Sequence, residues 1–277
     1  MPRIAKKDIN TNFLHIMVQG INKTFIFDWE YYKKKYLEMI QENCEKYNVT
    51  ILAYCIMGNH AHFLIFVENI YNLSKVMANS NTKYSQWYNH IFERCGVVFR
   101  NKYAVEPIYN QKYLINCINY IHNNPVKAEM VTKPGDYKYS TYNDYCNQTG
   151  VYNNSVLQDL FGKNWNYKDF EKECFDVQYI EAEDDKLTDE QINSLIENGL
   201  KYYIKLRHRS FVDLLTDKFF LKDAIDFLKE ECKVSYSKIS DYLEMPKYYI
   251  MNFNKRKTLK WFFIFIFFSL FISLKWK

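Results

Sequence analysis

Residues 49–67, VTILAYCIMGNHAHFLIFV, predict two adjacent β-strands at the centre of a sheet. Both halves are rich in β-branched and aromatic side chains, and Gly58 and Asn59 between them are typical turn residues. Two histidines stand two residues apart in the second strand. Because side chains alternate between the two faces of a sheet, His60 and His62 are predicted to point to the same face.

The sequence on both sides of this strand pair extends it into an α+β domain. Residues 13–27 predict a strand or hairpin, and a helix with Asp28 as its N-cap follows. A second helix is predicted over 73–94, a strand over 97–103, and a helix over 111–122 that stops at the Asn-Asn-Pro sequence after it. The order β-α-β-β-α-β-α resembles a ferredoxin-like unit, which is an antiparallel sheet with helices packed on one face.

Charge divides the 277 residues into regions. The net charge is +5, yet an acidic stretch over 136–190 separates two basic segments. Each basic segment is consistent with binding to a polyanion or with a solvated basic face.

We predict an α+β domain over 1–145, an acidic linker over 146–187 and a mainly helical region over 188–258. Three short amphipathic helices in that region resemble a helix-turn-helix whose recognition helix opens at Lys247. Such patterns also occur in domains that bind no DNA, so both interpretations stay open.

Residues 259–277 form a tail of different composition. Its uncharged run over 261–274 is fourteen residues long, which at ~1.5 Å per helical residue is short for a membrane span. Three interpretations of it stay open: a short anchor, a helix buried against the body and the product of a shifted reading frame.

The cysteines and the N-terminus favour a reducing cytoplasm, because the seven cysteines are scattered without a CxxC pair and the N-terminus shows no secretory signal.

The residues with the clearest chemistry lie in two motifs. Two imidazoles on one strand face can bind one divalent cation. Tyr120 and Asn124 are four residues apart, so on a helix they share a face about one turn apart. A tyrosine beside a metal that polarises a phosphate is a workable arrangement for phosphodiester cleavage. No GxxxxGK or GxGxxG sequence follows a predicted strand, so a nucleotide cofactor is not expected.

Other side chains compete for these roles. Tyr113 lies on the same predicted helix two turns before Tyr120, but no Asn follows it four residues later. His122 points elsewhere on that helix and is expected to be exposed or to face DNA. His15 stays unassigned, since it either lies near the site on the sheet or fills a strand position. Lys127 either meets a phosphate or is a solvated lysine.

Three motifs together resemble one known family: GNHAHFLI at 58–65, VVFRNKY at 97–103 and YLINCINYIHNNPVKAEMV at 113–131. They resemble the single-tyrosine HUH transposases, which are IS200-like, and most closely the REP-associated tyrosine transposases. The resemblance implies a ferredoxin-like catalytic domain in which a histidine pair, here His60 and His62, binds Mg²⁺ or Mn²⁺. It also implies that a tyrosine, here Tyr120, attacks a single-stranded DNA phosphate, giving a 5′-phosphotyrosine and a free 3′ hydroxyl.

The resemblance also assigns neighbouring positions. Asn124 takes the place where relatives often present Gln or Asn towards the metal. Phe99, Arg100 and Tyr103 match an aromatic and basic stretch that is expected to touch DNA. Ala61 departs from the family, which usually has a bulky apolar residue between the histidines; because this side chain points away from the metal, the change is interpreted as a packing adjustment.

The resemblance implies single-stranded or hairpin DNA as the partner and leaves a homodimer open. The protein is expected in the cytoplasm, associated with the nucleoid. The predicted DNA contacts are Arg100, Tyr103, Lys127 and Lys247. A catalytically silent, domesticated DNA-binding protein is the main alternative, although drift would not be expected to spare both histidines, Tyr120 and Asn124. A membrane-tethered protein that uses the tail is a third hypothesis, and membrane attachment is not expected.

Overall fold

The computed structural model describes residues 9–153, 155–171, 188–230, 232, 234–247 and 250. The chain divides into two compact units, Met1–Lys186 and Leu187–Lys277. None of the described helices is long and apolar enough to cross a membrane. The tail over 261–274, for which three interpretations were open, lies outside the described residues.

A four-stranded antiparallel sheet forms the framework of the first unit. Its strands are β1 (Phe13–Gln19), β2 (Val49–Ile56), β3 (His60–Val67) and β4 (Ala104–Ile108), in the spatial order β2-β3-β1-β4. Helix α1 (Glu30–Lys46) connects β1 to β2, and α2 (Ile70–Ile91) connects β3 to β4. This is the ferredoxin-like arrangement predicted from the sequence, with two helices on one face.

The other face of the sheet is covered by α3 (Gln111–Lys127). Phe63 of β3 packs on Tyr36 of α1, with ring centroids 6.2 Å apart, whereas the next residue, Leu64, joins a cluster with Cys117 and Ile118 of α3. Alternation along β3 therefore places His60 and His62 on the α3 face, together with Leu64. Both faces of the central strands are buried, which explains why β3 is almost entirely apolar apart from its histidines.

Gly58 sits in the predicted turn between β2 and β3. Its carbonyl accepts a hydrogen bond from Phe27 N at 2.8 Å, which holds the turn against the segment after β1. A Cβ atom at position 58 would lie 2.7 Å from the Phe25 ring. The turn therefore requires glycine because of this close approach.

The prediction that the third helix stops at His122 is wrong, because α3 continues to Lys127 with Pro125 inside it. Two asparagine side chains support the last turn: Asn123 Nδ2 donates to Asn119 O at 2.8 Å, and Asn124 Nδ2 donates to Tyr120 O at 3.0 Å. The backbone pattern resumes where Ala128 N donates to Asn124 O at 3.0 Å. Pro125 has no N–H to donate to Ile121 O, so the last turn of α3 lacks that one backbone hydrogen bond.

Other predicted boundaries shift. After β1 the chain forms a short 3-10 turn at Ile21–Lys23, and residues 24–27 form no second strand. Trp29, and not Asp28, is the N-cap of α1, while α2 begins three residues earlier than predicted, where Asn69 accepts from Tyr71 N at 3.0 Å. Residues 97–103 are irregular, and the strand β4 follows them.

Residues 146–171, inside the predicted acidic linker, pack on the first unit. Helices α4 (Tyr142–Asn147), α5 (Ser155–Phe161) and α6 (Tyr167–Phe170) lie there. Leu157, Trp165 and Tyr167 are buried in the same cluster as α3. Residues 146–171 carry three acidic and two basic side chains, so the acidic character of the predicted linker comes from its second half.

His122 connects α3 to this segment. It is fully buried, with Nδ1 2.9 Å from Tyr167 Oη and Nε2 2.9 Å from Thr141 Oγ1. The expectation that it is exposed or faces DNA is therefore wrong. Its position on the inner side of the lengthened α3 makes it a bridge between elements of the core.

The second unit is helical. Its helices are α7 (Asp189–Leu206), α8 (Phe211–Thr216), α9 (Lys218–Glu230) and α10 (Tyr236–Leu243). The side chains predicted to form the shared core of the helix-turn-helix-like region are all buried: Ile225, Leu228, Ile239, Leu243 and Ile250. Most of the predicted third helix lies outside the described residues.

Candidate active site

The two histidines of the HxH motif lie side by side at the start of β3. Gln19 and Met17 of β1 pair with His60 and His62, respectively. The imidazole centroids are 5.0 Å apart with the rings nearly perpendicular, and both side chains are buried. The structure thus places the predicted ligand pair on one face of the two central strands.

Each histidine has a fixed partner on its Nδ1 atom. His60 Nδ1 donates to Asn59 Oδ1 at 2.6 Å, and His62 Nδ1 lies 2.9 Å from Nε2 of His15. The Nε2 atom of His62 is buried and has no hydrogen-bond partner among the described residues. An imidazole nitrogen buried without a partner is costly, so the site is arranged for an additional group.

Burial determines the charge of both imidazoles. It lowers the pKa of His60 to about 4, since desolvation disfavours the charged ring. It also lowers the pKa of His62 well below its ordinary value, and the nearby charges of His60, His15 and Lys127 act in the same direction. Neutral imidazole is the form that binds metal ions, so both rings are in the ligating state at neutral pH.

Helix α3 brings Tyr120 onto the histidines. The Tyr120 ring is largely buried and packs edge-on against two imidazoles, with centroids 5.6 Å from His62 and 5.8 Å from His15. All these residues belong to one chain. The predicted nucleophile and the predicted ligands therefore meet without a second copy of the protein.

Asn124 lies one helical turn after Tyr120 and is also buried. Its Nδ2 atom donates to Tyr120 O, so only the amide oxygen remains as a candidate ligand. Among the described residues, no group of three or more His, Cys, Asp or Glu is arranged to hold a metal ion. Two imidazoles and one amide oxygen, completed by water or phosphate oxygens, can hold one divalent cation, and the oxygen donors among them suit Mn²⁺ or Mg²⁺. The residues present therefore fit the metal that the family resemblance implies.

Two of the predicted DNA contacts, Lys127 and Arg100, lie beside these side chains. Lys127 is exposed, with its Nζ 4.6 Å from the Tyr120 ring centroid. Arg100 is also exposed; its backbone N–H donates to Gln19 O at 2.8 Å, and its Nη1 atom donates to Gln19 Oε1 at 3.3 Å. Because Gln19 pairs with His60, the guanidinium is anchored beside the histidine pair. Both cations can meet a phosphate that approaches the site.

A groove of about 660 Å³ runs between α2 and the irregular segment before β4. Arg100 and Tyr103 line it, with Tyr103 half-buried and its hydroxyl 3.4 Å from Ser74 Oγ. Phe99 also lines this groove, although most of its side chain is buried among core rings, 5.8 Å from Tyr36 and 6.0 Å from Tyr84. Lys247 is exposed on the second unit.

Sequence reasoning missed Glu106, which hydrogen-bonds to His15 and Tyr113 next to the site. Glu106 of β4 accepts from His15 Nδ1 at 3.2 Å and from the Tyr113 hydroxyl at 2.5 Å. Burial and the Glu106 hydrogen bond both raise the pKa of Tyr113, which disfavours it as the nucleophile. The alternation of β1 could have placed His15 on the same face as its neighbours, but Glu106 lay outside the strand that was predicted.

The family comparison agrees with this geometry. Residues 9–124 match the family model of the IS200-like transposases. Residues 9–124 are thus similar to the IS200-like transposases, and the resemblance drawn from the three sequence motifs is confirmed.

Within that class, the relatives are REP-associated tyrosine transposases. One is a Haemophilus influenzae (strain ATCC 51907 / DSM 11121 / KW20 / Rd) protein assigned to this group, 26% identical over 143 residues, which cover 47% of this chain and 78% of that protein. A solved structure of a REP-associated tyrosine transposase bound to a REP hairpin is 15% identical, with a TM-score of 0.46; the match covers 68% of this chain and 100% of that one.

Proposed function

We propose that this transposase nicks and rejoins single-stranded DNA through a covalent tyrosine intermediate, with Mg²⁺ or Mn²⁺ held by His60, His62 and Asn124. The observation that carries the proposal is the buried Nε2 atom of His62, which has no hydrogen-bond partner among the described residues and belongs to a ring whose centroid is 5.6 Å from that of Tyr120. A bound cation would satisfy that atom. It would also lie close to a side chain able to attack a phosphate.

Tyr120 is the proposed nucleophile. Its hydroxyl oxygen forms a bond to phosphorus while the bond from phosphorus to the 3′ oxygen breaks, and the phenol proton ends on the released 3′ hydroxyl. A divalent cation, when bound, supplies Lewis-acid polarisation of the phosphate. A new 3′ hydroxyl can reverse the step, so the phosphodiester energy is conserved and no nucleoside triphosphate is consumed.

The surrounding cations position the substrate. Lys127 lies over the face of the Tyr120 ring and attracts a phosphate to it, and Arg100 does so from the side of His60. The groove beside Arg100 is proposed to hold unpaired nucleotides, with Tyr103 available for base stacking, which is worth about 1–3 kcal/mol per base. Lys247 of the second unit is proposed to contact the DNA backbone.

Hairpin or palindromic DNA is the proposed substrate class. Support comes from the resemblance to the REP-associated branch, whose sequence motifs this chain carries. Tyr120 and His62 meet within one chain, so a monomer is sufficient for the chemistry.

The test is a covalent adduct assay. The full chain is incubated with Mn²⁺ and a labelled single-stranded hairpin, and the protein-linked label is measured on a denaturing gel. Wild type is expected to form an adduct and Tyr120→Phe none at any Mn²⁺ concentration, whereas Tyr113→Phe, the same change at the competing tyrosine, should still form it at saturating Mn²⁺. Persistence of the adduct in Tyr120→Phe would refute the assignment.

A second arm separates chemistry from binding. Replacing His60 and His62 by alanine is expected to abolish cleavage while most hairpin affinity remains. If wild type binds the hairpin but never forms the adduct with Mn²⁺ or Mg²⁺, the protein is the silent DNA-binding relative instead.

A further inference from the structure

Three side chains from three neighbouring strands form a hydrogen-bonded line that ends at the site. Glu106 of β4 and His15 of β1 are direct cross-strand partners, with Oε2 and Nδ1 3.2 Å apart. His15 then reaches His62 of β3, with Nε2 and Nδ1 2.9 Å apart and the rings stacked at 5.1 Å. Both histidines are fully buried, so water does not compete for these contacts.

The direction of the hydrogen bonds determines which nitrogen of His62 carries the proton. A carboxylate only accepts, so His15 Nδ1 carries a proton and donates it to Glu106. In neutral His15, Nε2 is then an acceptor, and His62 Nδ1 must donate to it. The single proton of neutral His62 therefore lies on Nδ1, and its lone pair lies on Nε2, the buried atom without a described partner.

Tyr113 orients the first member of this line. Its hydroxyl donates to Oε1 of Glu106 at 2.5 Å, while Oε2 accepts from His15. Each carboxylate oxygen thus has a donor, and the side chain is only 14% exposed. The carboxylate is held in the orientation that the line requires.

We propose that Glu106 and His15 are positioning residues that fix the tautomer of His62 for metal binding, with Tyr113 holding Glu106 in place. This inference rests on the proposed metal site. Without the Glu106 acceptor, His15 can place its proton on Nε2 and donate to His62 Nδ1. The His62 proton would then move to Nε2 and block the nitrogen that faces the cation. Mutating a carboxylate that hydrogen-bonds to a metal-binding histidine typically lowers metal affinity 10- to 100-fold.

The first experiment measures Mn²⁺ affinity of the full chain by calorimetry. Glu106→Leu, which removes the acceptor, is expected to weaken binding by about 10- to 100-fold, and Glu106→Gln, which keeps one acceptor oxygen, by less. Glu42→Gln is the matched control, since that carboxylate pairs with Lys83 on the surface, and it should bind as wild type does. Adduct formation by Glu106→Leu should recover at high Mn²⁺, which Tyr120→Phe cannot do.

The second experiment needs no substitution. Nitrogen NMR of the metal-free wild-type protein, labelled at histidine, should show His62 protonated on Nδ1. A proton on Nε2 would overturn the proposed role of Glu106 and His15, as would wild-type Mn²⁺ affinity in a folded Glu106→Leu variant. Those results would leave the proposed function intact. Wild type that binds no Mn²⁺ would instead overturn the metal site together with the role of Glu106 and His15.

Discussion

Acid sensitivity of the first unit provides a test of the packing around His122. Burial lowers the pKa of this histidine to about 3, against about 6.5 in an unfolded chain. Between these two values the unfolded state binds more protons than the folded state, so stability rises with pH and is lost as pH falls below about 6.5. At pH 5 the unfolded His122 is almost fully protonated and the folded one is neutral.

The size of the effect follows from linkage. Lowering the pH from 7.5 to 5 costs about 2 kcal/mol through His122 alone, provided that the folded pKa stays below about 4. Other buried histidines add to the total loss, so the contribution of His122 must be obtained by difference. In His122→Gln, the loss of unfolding free energy over the same interval should be smaller by about 2 kcal/mol.

The assay is equilibrium urea unfolding at pH 7.5 and pH 5, followed by tryptophan fluorescence, because Trp165 is buried in the same cluster. His90→Gln is the control, since that side chain lies outside the buried set. Equal pH dependence in wild type and His122→Gln would refute the reasoning. It would mean that His122 titrates near 6.5, as an exposed or DNA-facing residue would.

Three further predictions concern the site and its support. Lys127→Ala should slow adduct formation about tenfold because the phosphate loses a cation beside the Tyr120 ring; Lys127→Arg should retain most of the rate, and an unchanged rate in the alanine variant would exclude this role. Arg100→Ala should weaken binding to all single strands alike and reduce the salt dependence, measured as the slope of log affinity on log salt, by about one; an unaltered slope would argue against a phosphate contact. Gly58→Ala should lower the free energy of unfolding by about 1–3 kcal/mol in a denaturant titration, because its Cβ would contact the Phe25 ring; wild-type stability would contradict the close approach.

The sheet and the histidine pair were predictable because they depend on local periodicity. Strands β2 and β3 are dense apolar runs on either side of Gly58. The two-residue period of a strand is then sufficient to place His60 and His62 on one face. The spacing of Tyr120 and Asn124 likewise needs only a helix. These features can therefore be predicted without knowledge of the tertiary contacts.

The features that were not predicted depend on contacts between residues that lie far apart in the sequence. The end of α3 was misplaced because a proline in the last turn does not have to end a helix: α3 contains Pro125, and Ala128 N still donates to Asn124 O. The role of Glu106 requires the register of β4 against β1, and β4 begins just beyond the strand that was predicted. Residues 146–171 were grouped with the acidic residues that follow them, although their apolar side chains Leu157, Trp165 and Tyr167 pack in the core.

The order of strands also determines how the site can move. Strands β1 and β3, which carry His15 and His62, are the two inner strands of the sheet, and each is hydrogen-bonded on both sides. Their amides should exchange with solvent only when the whole unit opens, so the strands that carry His15 and His62 are expected to stay rigid. Tyr120 lies on a separate helix, held by side-chain packing and not by the backbone ladder. Any adjustment to a bulky covalent DNA intermediate is therefore expected in α3, while the imidazoles keep their places.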